Sequence, residues 1–405
     1  MRLITLLLCL SLTVANGQII QTGLWDTNTS SNRTVSLHYS YALGSASIPF
    51  SAQRKVLFDD FLDDADKELF LSKSQKNNRS ALNDLFEFNY TYTLEGAKAE
   101  RRAFGIHYNS LRAVNYSENT LKLALYGNAP YAGETLDLAP TAWWRIQYFE
   151  LFYTWGFDND RWSYNLTGEV LIGLNEQRFQ ADRLNWFTPE SGEYIELDTK
   201  AQGSLTDTSA SRNSINGVGL GVGVSGEYRG DKWTFRGALE DFGFINWNNK
   251  TNTFDVDTLY NYEGLYVDNL FDVQENFFND AIDSLGQAYF AGEEGSRLGI
   301  TPFLLRGEAI TQLNSKTQLH LGVQYRYLIF NLPLFYARAD FQLNQNHRLS
   351  PSVHYGGYNR LGISLDYGLT MNDFTALVQI GNLNSWVAPD LSYGIHLGLG
   401  ISKRW

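Results

Sequence analysis

The chain has 405 residues, a formal net charge of −12, and 10 Trp, 24 Tyr and 25 Phe against a single cysteine. This acidic balance leaves no basic stripe to neutralise phosphates, which excludes nucleic acid as a partner, and it disfavours peripheral attachment to anionic lipid. One cysteine allows no intramolecular disulfide and no cysteine-based metal site.

At the N-terminus Arg2 precedes an apolar run from Leu3 to Val14 and the small-residue stretch Ala15-Asn16-Gly17. This pattern predicts a secretory signal peptide over residues 1–17, cleaved before Gln18. Cys9 lies inside the apolar run instead of closing it, so it is not read as a lipidated residue and leaves with the signal. No later stretch approaches the roughly 18 apolar residues of a helical membrane span. Aromatic residues nevertheless make up 15% of the chain, with only 8 Pro. Such a load suits a transmembrane β-barrel, whose lipid-facing band is flanked by aromatic girdles. Residues 18–405 are therefore expected to form an all-β, closed antiparallel barrel in the outer membrane, contacting its lipid and inserted by the barrel-assembly machinery.

Period-two alternation predicts fourteen strands, near 33–42, 85–94, 101–112, 141–156, 161–174, 217–229, 232–247, 298–311, 316–329, 334–345, 348–356, 358–370, 373–382 and 392–404. Tight connections at Glu95–Glu100, Asp158–Asp160, Gly230–Asp231, Gln312–Ser315, Asn344–His347 and Met371–Asn372 follow the even-numbered strands, so all six share one face. The long connections 43–84, 113–140, 175–216 and 248–297 then share the other, the cell exterior. Counting the alternating segment Tyr194–Leu205 as a spanning strand would move the later tight turns to the opposite face. It is assigned to a loop or to the lumen. In the fourth strand, Trp143 and Trp155 are twelve steps apart, roughly 28 Å vertically at a ~45° tilt, the separation of two interface belts. The last strand alternates Tyr393, Ile395, Leu397, Leu399 and Ile401 with Gly394, His396, Gly398, Gly400 and Ser402, and the chain ends on Trp405.

Four stretches carry a family resemblance: Leu123–Leu138 with Gly127-Asn128, Gln147–Phe157 with Glu150, Trp162–Asn175 with the glycine-bearing strand Gly168–Gly173, and Leu239–Trp247 with the Asp-Phe-Gly-Phe-Ile run Asp241–Ile245. Together they resemble a family of uncharacterised outer-membrane barrels of the Bacteroidota. The resemblance implies a fold similar to the fatty-acid-channel-type and type IX secretion-associated (gliding) barrels, and it implies no established activity.

Strand parity places Glu87, Glu150, Glu169, Arg236, Glu240, Arg306, Glu308, Arg326, Arg338, Asp340 and Asp366 inside the lumen. Arg306, Glu308, Arg326, Arg338 and Asp340 lie on three consecutive strands and are expected to form one cross-strand ion-pair cluster. Such a cluster would either fill and stiffen a narrow lumen or act as a constriction for a charged solute. His38, His107, His320, His354 and His396 also point inward and are read as lumen-filling polar groups. No metal site, cofactor or catalytic residue is expected. Gly-x-Ser-x-Gly is absent, the nearest approach being broken by Glu227, and neither His-Glu-x-x-His nor a phosphate loop occurs.

The loops hold the remaining unusual content. Between Thr251 and Glu294 stand ten acidic residues and no basic one, interleaved with aromatics. Helical spacing is expected over Val273–Tyr289, and an acidic amphipathic helix over Val56–Leu71. Asp257-Thr258-Leu259 and Asp283-Ser284-Leu285 resemble the O-glycosylation acceptor pattern of Bacteroidota. Phe271, Phe277, Phe278 and Tyr289 are read as anchors for an outer-membrane or extracellular protein partner. Docking through this loop is the first functional expectation, passage of a small or hydrophobic solute the second, and barrel enzymology a distant third.

Overall fold

A computed structural model describes residues 33–57, 62–94, 100–206, 214–263 and 292–405. The predicted signal peptide, Phe271, Phe277, Phe278, Tyr289 and Ser284, and the helical spacing read at Val273–Tyr289 all lie outside the described residues.

Strand β1 (Arg33–Ser45) leads through helices α1 (Phe50–Leu57) and α2 (Asp64–Lys73) to β2 (Asn77–Thr93) and β3 (Glu100–Ser117). Helix α3 (Glu118–Tyr126) and the short β4 (Thr135–Asp137) precede the long hairpin of β5 (Thr141–Asp158) and β6 (Trp162–Phe187). Then come β7 (Ile195–Leu205), β8 (Gly217–Arg229), β9 (Trp233–Trp247), β10 (Asn252–Tyr262), β11 (Glu293–Glu294), β12 (Arg297–Ile300) and β13 (Leu304–Asn314). The chain finishes with β14 (Thr317–Arg326), β15 (Leu334–Gln342), β16 (His347–Gly356), β17 (Leu361–Met371), β18 (Phe374–Gly381), helix α4 (Asn384–Val387) and β19 (Gly394–Arg404).

Fourteen antiparallel strands form a closed barrel, β12 and β13 serving as two halves of one wall strand because both pair with β9. Closure comes from β1 lying beside β19, with Thr34 opposite Arg404 and Gly44 opposite Gly394. A closed wall leaves no spanning edge unpaired, as a bilayer without hydrogen-bonding solvent demands. Its outer face is apolar. Val218, Leu220, Val222 and Val224 of β8 are 60%, 71%, 51% and 51% exposed, while the alternating Gly217, Gly219, Gly221 and Gly223 face the lumen. A row of large aliphatic residues so exposed is stable only against lipid. The short connections 159–161, 230–232, 315–316, 343–346 and 372–373 share one end, and the long connections carrying α1 to α3 and β7, β10 and β11 share the other.

Several boundaries differ from the sequence expectation, mostly at the long-loop end. Strand β2 starts at Asn77 and β6 continues to Phe187, both deep inside predicted loops. Residues 195–205 are a strand, but a non-spanning one: β7 pairs with the upper part of β6 and with β10, extending the wall outward. Alternation reports pairing and burial, not depth in the bilayer, so it reads the same on both sides of the interface. Phe179, Ala181, Ala201 and Phe254 form the core of that extension. Trp143 stacks on Phe179 with ring centroids 4.2 Å apart, so it packs against protein, whereas Trp155 is exposed as a belt residue should be. Of the single helix expected over Val56–Leu71, Val56 and Leu57 end α1, residues 58–61 lie outside the described residues, and residues 64–71 belong to α2. Helix α2 begins only after Asp63, whose carboxylate accepts from the Asp66 amide while the Asp66 carboxylate accepts from the Asp63 amide, a capping box that sets a new N-terminus.

Candidate functional site

The short-turn half of the lumen is filled by ion pairs. Arg306 binds the carboxylate of Glu240 on β9, and Arg236 donates to Glu227 at 2.5 Å and lies 3.8 Å from Glu308. Tyr336 donates to Glu308 Oε1 at 3.0 Å, and His320 sits between Glu308 (3.2 Å) and Asp340 (3.6 Å). Arg338 grips Asp340 through two nitrogens at 2.6 and 2.9 Å. Gln379 donates to Asp366 at 3.3 Å, and His38 lies 3.4 Å from Glu87. All eleven charges assigned inward by parity are buried or half-buried. The five expected to cluster do not form one group. His320 links Glu308 to Asp340, but Arg306 turns to Glu240, and Arg326 leaves for Asp241, to which it donates at 3.1 Å. Cross-strand partners are chosen by register: Leu304 opposite Glu240 brings the β9 carboxylates within reach of Arg306 and Arg326. The histidines also line the lumen, and a small polar cavity there is bounded by Arg338, His354, Ser364, Asp366, Asn382 and His396.

Asp241 is the residue that parity could not find. It follows the inward Glu240 and by alternation should face lipid. Its φ is +60°, and the register between β8 and β9 shifts at this point. The extra residue of the bulge turns a second carboxylate inward, at a φ that Asp tolerates better than most side chains. On the opposite strand Thr301-Pro302-Phe303 interrupts β12 and β13, where Pro302 has no N–H for the ladder. The Thr301 hydroxyl repairs the gap, donating to the Asp241 carbonyl at 2.5 Å and accepting from the Gly243 amide at 2.8 Å.

In the long-loop half the lumen is apolar. Trp144, Ile146 and Tyr148 of β5, Leu111 of β3, Leu171 of β6, and Ile245 and Trp247 of β9 are all buried in one cluster. These positions share parity with Glu150, Glu169 and Gly243, so they point inward. The connection after β14, expected to continue as strand to 329, instead folds in to close this space. Leu328 is buried in the cluster and Tyr327 and Ile329 pack against it. Tyr327 stacks on Phe303 with centroids 5.1 Å apart, the Tyr358 hydroxyl donates to the Ile329 carbonyl, and Asn331 donates to the Arg326 carbonyl at 2.7 Å. A short polar-anchored plug therefore packs into an apolar vestibule beside the interrupted wall. Parity marks the inward charges and histidines but not this apolar zone. The apolar lumen was detectable in residues 143–149, where both parities carry large apolar residues.

Geometry of this kind defines a class: a fourteen-stranded transmembrane β-barrel of the outer-membrane type, with an apolar cluster in one half of its lumen and ion pairs in the other. Residues 30–377 match the family described as "Family of unknown function (DUF5723)", and the chain belongs to it. No curated protein matches the chain. Among solved structures it is similar to the toluene transporter TodX of Pseudomonas putida, at 8% identity and a TM-score of 0.48 over 98% of this chain and 97% of that one. The toluene transporter TbuX of Ralstonia pickettii follows at 8% and 0.46, over 93% and 90%. A FadL homologue of Pseudomonas aeruginosa gives 10% and 0.44, over 92% and 90%.

Proposed function

We propose that this protein is a gated passage for a small apolar solute across the outer membrane, held closed by the Tyr327–Asn331 plug. The apolar vestibule carries the proposal. A barrel lumen is polar by default because water fills it. Here seven large apolar side chains on four spanning strands turn inward and away from lipid, which suits a solute that leaves water. The plug is a short connection held by few polar contacts, so its displacement costs little compared with opening the wall. The experiment is flux of a small aromatic probe and of a sugar into proteoliposomes. Tyr358→Phe, which removes the bond to the Ile329 carbonyl, and Leu328→Ala should each raise aromatic flux several-fold and leave sugar flux near background. Equal flux of both probes, or none with either variant, refutes it.

Docking is the second reading, favoured by the described part of the acidic loop. Strand β10 stands outside the barrel and exposes Asp255, Asp257, Thr258 and Leu259, the last at 60%. It is also structural, since Phe254 is buried against Phe179 and all of β10 pairs with β7. A clean deletion therefore removes 264–291 and spares β10. No catalysis is proposed.

A further inference from the structure

Three carboxylates meet in the lumen wall between the charged and apolar halves. Glu150 of β5, Glu169 of β6 and Asp241 of β9 each offer an oxygen, and the three oxygens lie within 4.8 Å of one another. Glu150 and Glu169 are 2% and 5% exposed. Positive charge nearby is incomplete. Arg326 serves Asp241 Oδ2 at 3.1 Å, and His107 lies 3.3 Å from Glu150 Oε1. Glu150 Oε2 and Glu169 Oε2 are buried with no hydrogen-bond partner. A fourth oxygen points the same way. The Tyr148 hydroxyl is fully buried and also unpartnered, and the charged groups around it are Asp241, Arg326, Glu150 and Glu169.

The wall is shaped to hold this arrangement. Strand β8 separates β6 from β9, and its inward face at 217, 219, 221 and 223 is glycine. A Cβ at Gly221 would stand 2.2 Å from Glu169 Oε2 and one at Gly223 would stand 3.2 Å from Glu169 Oε1, so the carboxylate occupies the space these residues leave empty. The bulge at Asp241 supplies the third ligand from the far side of that strand. Buried carboxylates this close repel unless a proton or a cation joins them. Calcium–oxygen bonds of about 2.3–2.6 Å place the ligand oxygens of one ion about 3.3–5 Å apart. We propose that Glu150, Glu169, Asp241 and the Tyr148 hydroxyl bind one hard divalent cation of calcium type, which ties β5, β6 and β9 together across β8. An all-oxygen, carboxylate-rich set excludes softer metals by preference.

The test uses the full mature chain refolded into detergent micelles, once with a chelator and once with calcium chloride. Terbium is the probe, since the ring of Tyr148, the proposed fourth ligand, can sensitise its emission. The wild type should give saturable terbium luminescence that calcium displaces, and a thermal midpoint several degrees higher with calcium than with chelator. Glu169→Gln and Asp241→Asn should weaken terbium binding by more than about tenfold, while Glu190→Gln at an exposed site should bind as wild type does. Should both site variants fail to fold, Gly221→Ala, which displaces the Glu169 carboxylate, provides the comparison. Absence of displaceable terbium signal from the wild type, or equal affinity in wild type and a folded site variant, overturns the proposal. A melt insensitive to calcium but raised by Glu169→Gln also overturns it, identifying a proton-sharing cluster instead.

Discussion

Replacing Arg326, a residue 4% exposed, with Met removes the guanidinium and keeps most of the side-chain volume. Two contacts disappear: the 3.1 Å bond to Asp241 Oδ2 and the 2.8 Å bond to the Pro302 carbonyl. Removing one partner of a buried pair costs about 3–5 kcal/mol, because the remaining charge is left uncompensated. Asp241 retains some water contact, its side chain being 15% exposed, which lowers the estimate toward about 3 kcal/mol. The lost carbonyl bond adds about 1 kcal/mol. Urea unfolding in lipid vesicles with a chelator present, followed by tryptophan emission, measures the sum. Arg326→Met should lose about 3–4 kcal/mol, and adding Asp241→Asn should recover more than half of it by removing the stranded charge. A single variant within about 0.5 kcal/mol of wild type, or a double variant no better than the single, refutes the assignment of this pair as structural.

Glycine substitutions on the wall should divide by what a Cβ would strike. Gly219→Ala, whose Cβ would lie 1.9 Å from the Phe244 carbonyl oxygen, should block or slow folding in a vesicle refolding assay, whereas Gly307→Ala, whose nearest neighbour is Val323 Cγ1 at 3.8 Å, should refold as wild type. Protease added to intact cells should cut at 188–193, beyond the end of β6, and spare the turn at 159–161; cleavage at the latter inverts the topology. Deleting 264–291 should leave barrel assembly intact by heat-modifiable gel mobility, and co-purifying proteins should be lost with it, and with Phe277→Ala/Phe278→Ala, only if docking operates.

Much of the barrel was legible in the linear order of residues because its determinants are local. Residues 217–224 alternate glycine with Val and Leu, which settles which face meets lipid without any knowledge of the partner strands. Tight turns at Asp158–Asp160, Gly230–Asp231 and Met371–Asn372 count strands in pairs for the same reason. Parity then carried Glu150, Glu169, Arg306 and Arg338 to the interior. Partner choice depended on register, which no single strand contains: Arg306 meets Glu240 and Arg326 meets Asp241 only because β13 lies beside β9 with Leu304 opposite Glu240. Asp241 enters the lumen through a bulge that shifts the period by one residue, so a strictly alternating reading sends it to lipid. Tyr327–Ile329 continue the apolar pattern of β14 yet leave the wall, because the vestibule formed by Trp144, Leu171 and Trp247 offers them burial that lipid-facing pairing does not. Composition and period determined a membrane barrel and its inward face; which inward groups touch, and what packs into its apolar half, was decided by strands distant in sequence coming into register.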